Sequence, residues 1–160
     1  MPDKNKTVSS PSLVIRPPKP GERDAFIAMA LASWLDAYTD LLPEDQVRSA
    51  PEMMETAATK RYGEFRVAVD EPSGELLGYY SLGEGDYLWH LYVHPVHFRK
   101  GIGRKLLQTA EKELAERGLN SVSLDVTKGN DRAVKFYEAL GFTITGVDED
   151  GDTLMKKNMS

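Results

Sequence analysis

Cysteine is absent from the 160-residue chain, which excludes disulfides, thiolate metal sites and a cysteine nucleophile, and fits a reducing, cytoplasmic setting. Long apolar runs are absent as well. None reaches the roughly 18 residues of a membrane span, and the polar opening MPDKNKTVSSPS holds no apolar stretch of signal-peptide length. Nor is there a surplus of positive charge: 20 Lys and Arg stand against 25 Asp and Glu, a formal net charge of -5. A nucleic-acid partner, which normally needs a basic surface, is therefore disfavoured. What remains, 41% apolar and 28% charged residues, is ordinary for one soluble domain with one core.

Residues 1–11, rich in Ser, Lys and Asn, read as a flexible tail. A single domain is expected from residue 12 to 158. Leu13–Ile15 before Pro17 and Pro18 reads as a first strand, and Phe26, Ile27, Ala30, Leu31, Trp34 and Leu35 recur at helical spacing within 21–37. Pro43 and Pro51, each followed by an acidic residue, open a second helix or a broken pair running to about Lys60. The period then becomes two: strands around 65–69, 76–82 and 87–93 are followed by an amphipathic helix over 101–117 and a strand over 121–126. A helix opened by Asn130 and closed by Gly141 precedes a hairpin, 142–147 with 153–157. The expected order is β-α-α-β-β-β-α-β-α-β-β, an α/β (α+β) domain.

Two segments carry chemistry. In LYVHPVHFRKGIGRKLL, Leu91 to Leu107, a strand leads through Gly101-Ile102-Gly103 into a helix. Glycines at a helix N-terminus admit an anion to unpaired N–H groups and the positive dipole end, and Arg99, Lys100, Arg104 and Lys105 add charge. A dinucleotide-binding turn is the rival, with Asp125 about 20 residues on. However, Leu106 stands where its third glycine belongs, and seven residues separate Val93 from Gly101. The second segment is Asn130-x-x-Ala133-x-x-Phe136-Tyr137-x-x-x-Gly141-Phe142. Taken singly, its residues read as an N-cap, packing positions and a C-cap.

Together, in this order and spacing, the two segments resemble the GCN5-related N-acetyltransferase (GNAT) superfamily from about Leu13 to Lys157. The resemblance implies a central, mostly antiparallel sheet of about seven strands flanked by about four helices. It further implies acetyl-CoA as cosubstrate, an amine acceptor and no metal, so that His90, His94 and His97 are not ligands. The backbone of Arg99, Lys100, Gly101, Ile102, Gly103 and Arg104 would surround the CoA pyrophosphate, and Leu91, Tyr92 and Val93 would bind the pantetheine arm. Asn130 and Ala133 would meet that arm, and Tyr137 would stand near the sulfur. Phe98 departs from the family, which usually carries Gln or Arg three residues before the first loop glycine.

The family reaction is direct attack of an amine on the thioester, for which Tyr137 is the expected acid and the Leu91 N–H the expected oxyanion donor. Asp125 is the expected base, at a position where some members carry a catalytic carboxylate. Asp86, Glu84, His90 and a water relay are alternatives. Strand alternation would put His90 opposite Tyr87, Trp89 and Leu91, leaving Tyr87 and Trp89 to line the acceptor side. A catalytically silent acyl-CoA-binding module is the alternative function. The acceptor should be set by Ser33–Asp40 and by Phe142–Asp152, where Asp36, Asp40, Asp148, Glu149 and Asp150 hint at a cation such as a polyamine or an N-terminal amine. The sequence leaves the oligomeric state, homodimer included, open.

Overall fold

The computed structural model describes residues 12–159; the tail expected over residues 1–11 lies outside the described residues. Strands β1 (Leu13–Arg16), β2 (Arg66–Asp70), β3 (Glu75–Leu82) and β4 (Leu88–Val93) form an antiparallel sheet in chain order. Strands β5 (Ser121–Val126), β6 (Thr143–Val147) and β7 (Thr153–Asn158) form a second sheet in the order β5-β7-β6. The helices are α1 (Arg23–Tyr38), α2 (Glu44–Arg48), α3 (Ala50–Lys60), α4 (Ile102–Glu116) and α5 (Asp131–Ala139). The element order is the expected one. The stretch before Lys60 is a broken pair because Pro51 lacks the N–H that would continue α2 and its ring would crowd the carbonyl of Val47.

Side chains on successive β2 residues serve different layers, as a fully buried strand requires. Val67 and Val69 join Phe26, Met54, Phe65 and Tyr79 beneath α1 and α3, whereas Ala68 joins Leu106, Ala110 and Leu114 of α4 on the other face. Leu106 and Leu114 are fully buried, so truncating either to alanine should destabilise the fold by about 2–5 kcal/mol. Residues expected to sit at i, i+4 and i+8 of α4 are therefore the ones that anchor it.

The seven expected strands do not make one continuous sheet. Among the described residues the halves meet in one parallel bridge, Tyr87 to Ser123. Ser81 pairs with His90 but Leu82 with Leu88, so Trp89 is an extra residue in β4. Such a bulge bends and twists its strand, and β4 diverges from β5 beyond it. Asp86 holds the hinge of this V: its carbonyl accepts from the Ser123 N–H at 2.9 Å, and its carboxylate accepts from the Ser121 and Ser123 hydroxyls. Those two hydroxyls hold the Asp86 carboxyl below the usual range.

Candidate active site

The gap between β4 and β5 opens into a cavity of about 570 Å³, within the size range of small-molecule sites. Its wall includes Leu91, Tyr92, Val93, Arg99, Gly101, Ile102, Gly103, Arg104, Asp125, Asn130, Ala133 and Tyr137, which brings both sequence segments to one place. Lys100 is not in that wall. Its ammonium donates to Nδ1 of His97 at 3.0 Å, and because an ammonium cannot accept, His97 carries its proton on Nε2 and donates it to Glu75 at 2.8 Å. Lys100 and His97 thus pin the loop to β3 from behind.

The loop backbone is bent to fit. Arg99 has φ of 68° and Gly101, the residue preceding α4, has φ of 79°. A left-handed arginine is unfavourable by about 1 kcal/mol and persists only where its surroundings demand it. The first turn of α4 contains no acidic residue, so its free N–H groups, its dipole and Arg104 face the cavity with one sign of charge. Gly103 has a different reason to be glycine: a Cβ there would meet the Phe136 ring at 3.0 Å. Its missing side chain lets α4 and α5 approach each other, in addition to opening the wall.

Just after β4 the His94 N–H donates to Leu77 O at 2.9 Å, and within the strand register pairs Tyr79 with Tyr92 and Tyr80 with Leu91. Antiparallel alternation then turns the main-chain groups of Tyr92 toward β3 and those of Leu91 and Val93 toward the gap. Across it, Asn130 caps α5 by accepting from the Ala133 N–H at 3.2 Å. Its amide nitrogen makes no hydrogen bond among the described residues.

Tyr137 is buried, 8% exposed, and its hydroxyl has no hydrogen-bond partner among the described residues. Burial first, and then Tyr38, pushes its phenol above the ordinary range. Tyr38, at the end of α1, shares a 2.8 Å hydrogen bond with the Tyr92 hydroxyl. The sequence places Tyr92 in the strand expected to bind the pantetheine arm and Tyr38 in the acceptor segment, but not their pairing, because nothing local in α1 signals that its last turn reaches β4. Phe98 sits at the cavity rim with the Arg132 guanidinium 4.8 Å from its ring centroid, and Arg132 also pairs with Asp36 at 2.7 Å.

A second cavity, about 260 Å³, lies between β4 and helices α1 and α3. Tyr38, Trp89, Tyr92, Asp125 and Thr127 line both cavities and so form their junction. Tyr87, Trp89 and His90 all face the second one, which corrects the expectation that His90 points away. The bulge at Trp89 breaks the alternation, and the Trp89 and His90 rings stack at 4.8 Å. Burial, then Arg61, lowers His90 to about 4, so it is neutral near pH 7. Burial, then the adjacent Asp125 carboxylate, pushes Tyr87 up to about 12.

Of the acids expected to attract a cationic acceptor, Asp36 is engaged by Arg132, and Asp148 accepts from the Asp150 and Asp152 N–H groups within its turn. The carboxylates that line the second cavity are Asp125 and Asp152. Asp86, held in its hinge, lines neither cavity. Among the described residues no group of three His, Asp or Glu is arranged to hold a metal ion, and no helix is long and apolar enough to cross a membrane.

Residues 28–142 match the Acetyltransferase (GNAT) family. The chain is 29% identical over 116 residues to the L-amino acid N-acyltransferase MnaT of Escherichia coli, covering 68% of this chain and 67% of that protein. It is 36% identical over 74 residues to the peptidyl-lysine N-acetyltransferase YiaC of the same organism, but spans only 47% of it and 46% of itself. The fold is shared with the PaiA N-acetyltransferase of Thermoplasma acidophilum, solved with coenzyme A, at a TM-score of 0.74 and 24% identity over 92% of this chain and 99% of that one. It is likewise shared with YncA of Salmonella typhimurium, solved with acetyl-CoA, at a TM-score of 0.65 and 22% identity over 93% and 95%.

Proposed function

Because the chain belongs to the GNAT acetyltransferase family, we propose that it is an N-acetyltransferase that transfers the acetyl group of acetyl-CoA to a primary amine by direct attack in a ternary complex. The observation that carries this is the meeting of two cavities at one carboxylate. One is walled by a glycine-loop anion cradle and exposed strand backbone; the other is aromatic; Asp125 stands between them. A cytoplasmic location belongs to the same proposal.

The first cavity suits acetyl-CoA. The α4 N-terminus and the loop from Arg99 to Arg104 offer N–H groups and charge to the pyrophosphate, and Leu91 and Val93 offer backbone groups to the pantetheine arm. Arg132, stacked on Phe98, supplies the basic group that position 98 lacks. Thioester chemistry then asks three things of the protein. Asp125 takes the proton from the acceptor ammonium, whose ordinary pKa is about 10. The Leu91 N–H, turned into the gap, stabilises the oxyanion. Tyr137 gives its proton to the departing sulfur. A buried phenol is a weaker acid than a free one, but the same burial raises the proton affinity of a thiolate formed beside it.

The test is acetyl-CoA-dependent thiol release across an amine panel, read together with CoA-induced stabilisation. A ligand that binds only the folded state adds about 2.7 kcal/mol at a hundredfold excess over Kd. Thiol release with an amine, together with a melting shift given by CoA and not by NADH, is the expected result. No shift at millimolar acetyl-CoA refutes the binding site. A shift with no thiol release identifies a silent binding module.

A further inference from the structure

The charged and uncharged parts of the second cavity's lining are segregated. Its carboxylates, Asp125 and Asp152, with Thr127 and the Tyr87 phenol, belong to β5, the β6–β7 turn, the segment after β5 and the residue before β4, and Asp125 and Thr127 also line the first cavity; His90 and the mutually bonded Tyr38 and Tyr92 hydroxyls are further polar groups of the lining. The first four therefore surround the point where an acceptor nitrogen must meet the thioester. Away from that point the wall is made by Phe26, Met54, Phe65 and Tyr79, core residues at most 6% exposed, together with Trp34, Met53 and Ala57. Among the described residues its lining holds two carboxylates and no lysine or arginine. Arg61 lies 4.1 Å over the Trp89 ring and is paired with Glu64 at 3.3 Å, and it is not part of the wall. The His90 Nδ1 is engaged with Ser81 Oγ at 2.6 Å.

From this segregation we infer that the acceptor is a small alkyl- or arylalkylamine, one ammonium on an uncharged apolar body without a carboxylate. The inference rests on assigning the second cavity to the acceptor. An ammonium between Asp125 and Asp152, beside the rings of Tyr38 and Tyr87, gains charge pairing and cation–π attraction. Its carbon body, directed toward Phe26, Phe65 and Met54, gains apolar burial. An α-amino acid would bring a carboxylate next to its nitrogen, where two like charges already sit and no cation answers it. The backbone amides of a lysyl peptide, or the distal ammonium of a diamine, would lie against the apolar wall without partners. The acceptor therefore differs from the amino acids named for the relative MnaT. The reaction balances: the amine, its proton passed to Asp125 and from there to solvent, forms the N–C bond; the C–S bond breaks with its electron pair on sulfur; the sulfur takes the Tyr137 proton; and the phenolate regains one from the nitrogen of the new amide through solvent.

Matched acceptor pairs test this with the full chain and acetyl-CoA: phenethylamine against phenylalanine, tyramine against tyrosine, and hexylamine against norleucine, with putrescine and a lysyl peptide alongside. Each carboxylate-free amine should exceed its amino acid in kcat/KM by about a hundredfold or more, since a site charge left unpaired discriminates strongly. Putrescine and the peptide should fall with the amino acids. In Asp152→Asn, which keeps an oxygen for the Lys128 N–H that Asp152 now binds at 2.9 Å, the preference should narrow to about tenfold, as removal of one repelling charge implies, while the Kd for CoA stays the same. Amino acids used as well as their amines, or a peptide or diamine used best, would overturn the acceptor class while leaving acetyl transfer standing. CoA binding without thiol release from any amine would overturn acetyl transfer itself, and the acceptor class with it.

Discussion

Replacing Tyr137 with phenylalanine removes one oxygen and leaves the ring. The ring packs edge-on against Phe136 at 5.1 Å and Phe142 at 5.2 Å, contacts that phenylalanine retains. Since the hydroxyl makes no hydrogen bond among the described residues, stability should change by no more than about 0.5 kcal/mol. The Kd for CoA, held largely by backbone groups and charges elsewhere, should not change. Catalysis should. General acid assistance contributes about 10²- to 10⁴-fold, and a hundredfold loss in kcat corresponds to about 2.7 kcal/mol, more than the roughly 0.5–1.5 kcal/mol of an ordinary lost hydrogen bond. Steady-state thiol release at saturating amine, CoA calorimetry and a thermal melt separate these effects. Burial also forbids the phenol from titrating early, so the wild type should show no falling limb in kcat from this group up to about pH 10. A fall in kcat of less than about threefold would mean that water or the acceptor protonates the sulfur.

Gly101→Val places a β-branched residue at φ 79°, which should disfavour the loop conformation by about 1–2 kcal/mol and weaken CoA binding about tenfold by calorimetry, with the melt lowered by a few degrees. It is a cleaner probe than Gly103→Val, because nothing lies within 4 Å of a Cβ at 101 whereas one at 103 strikes Phe136; unchanged affinity would reduce the glycine to a turn former. Arg132→Ala should raise the Kd for CoA about tenfold, the worth of one charge-assisted contact, and leave the KM for acetyl-pantetheine, which lacks the phosphates, unchanged. Equal effects on both would mean that Arg132 acts through its Asp36 pair on the fold. Glu22 accepts two hydrogen bonds from Arg16, which lower its pKa from 4.5 to about 2. A carboxylate depressed on folding stabilises above its unfolded value, so this contribution should be lost as pH falls from 4.5 to about 2. Acid titration of stability in Glu22→Gln should be flatter across that window, and curves of the same shape would show that the pair contributes nothing.

Much of the domain is written in local pattern. The period of Ile102, Leu106, Ala110 and Leu114, the asparagine that caps α5, the proline that breaks α2 from α3 and the glycine that opens α4 each depend on residues within about one turn of each other. Their order, with the two spaced segments, was sufficient for the family and pointed to twelve of the residues that line the first cavity. The tertiary structure decided what depends on residues far apart in the chain. An extra residue in β4 is visible only against the register of β3, so the divergence from β5, the common orientation of Trp89 and His90 and the release of the Leu91 N–H all follow from pairing rather than composition. Lys100 and Arg132 show the same division. Each is a cation in a motif, yet His97 takes one into the scaffold, and Phe98 and Asp36 hold the other at the rim. A charge is a property of a residue, but what it is free to bind depends on which distant side chains reach it first.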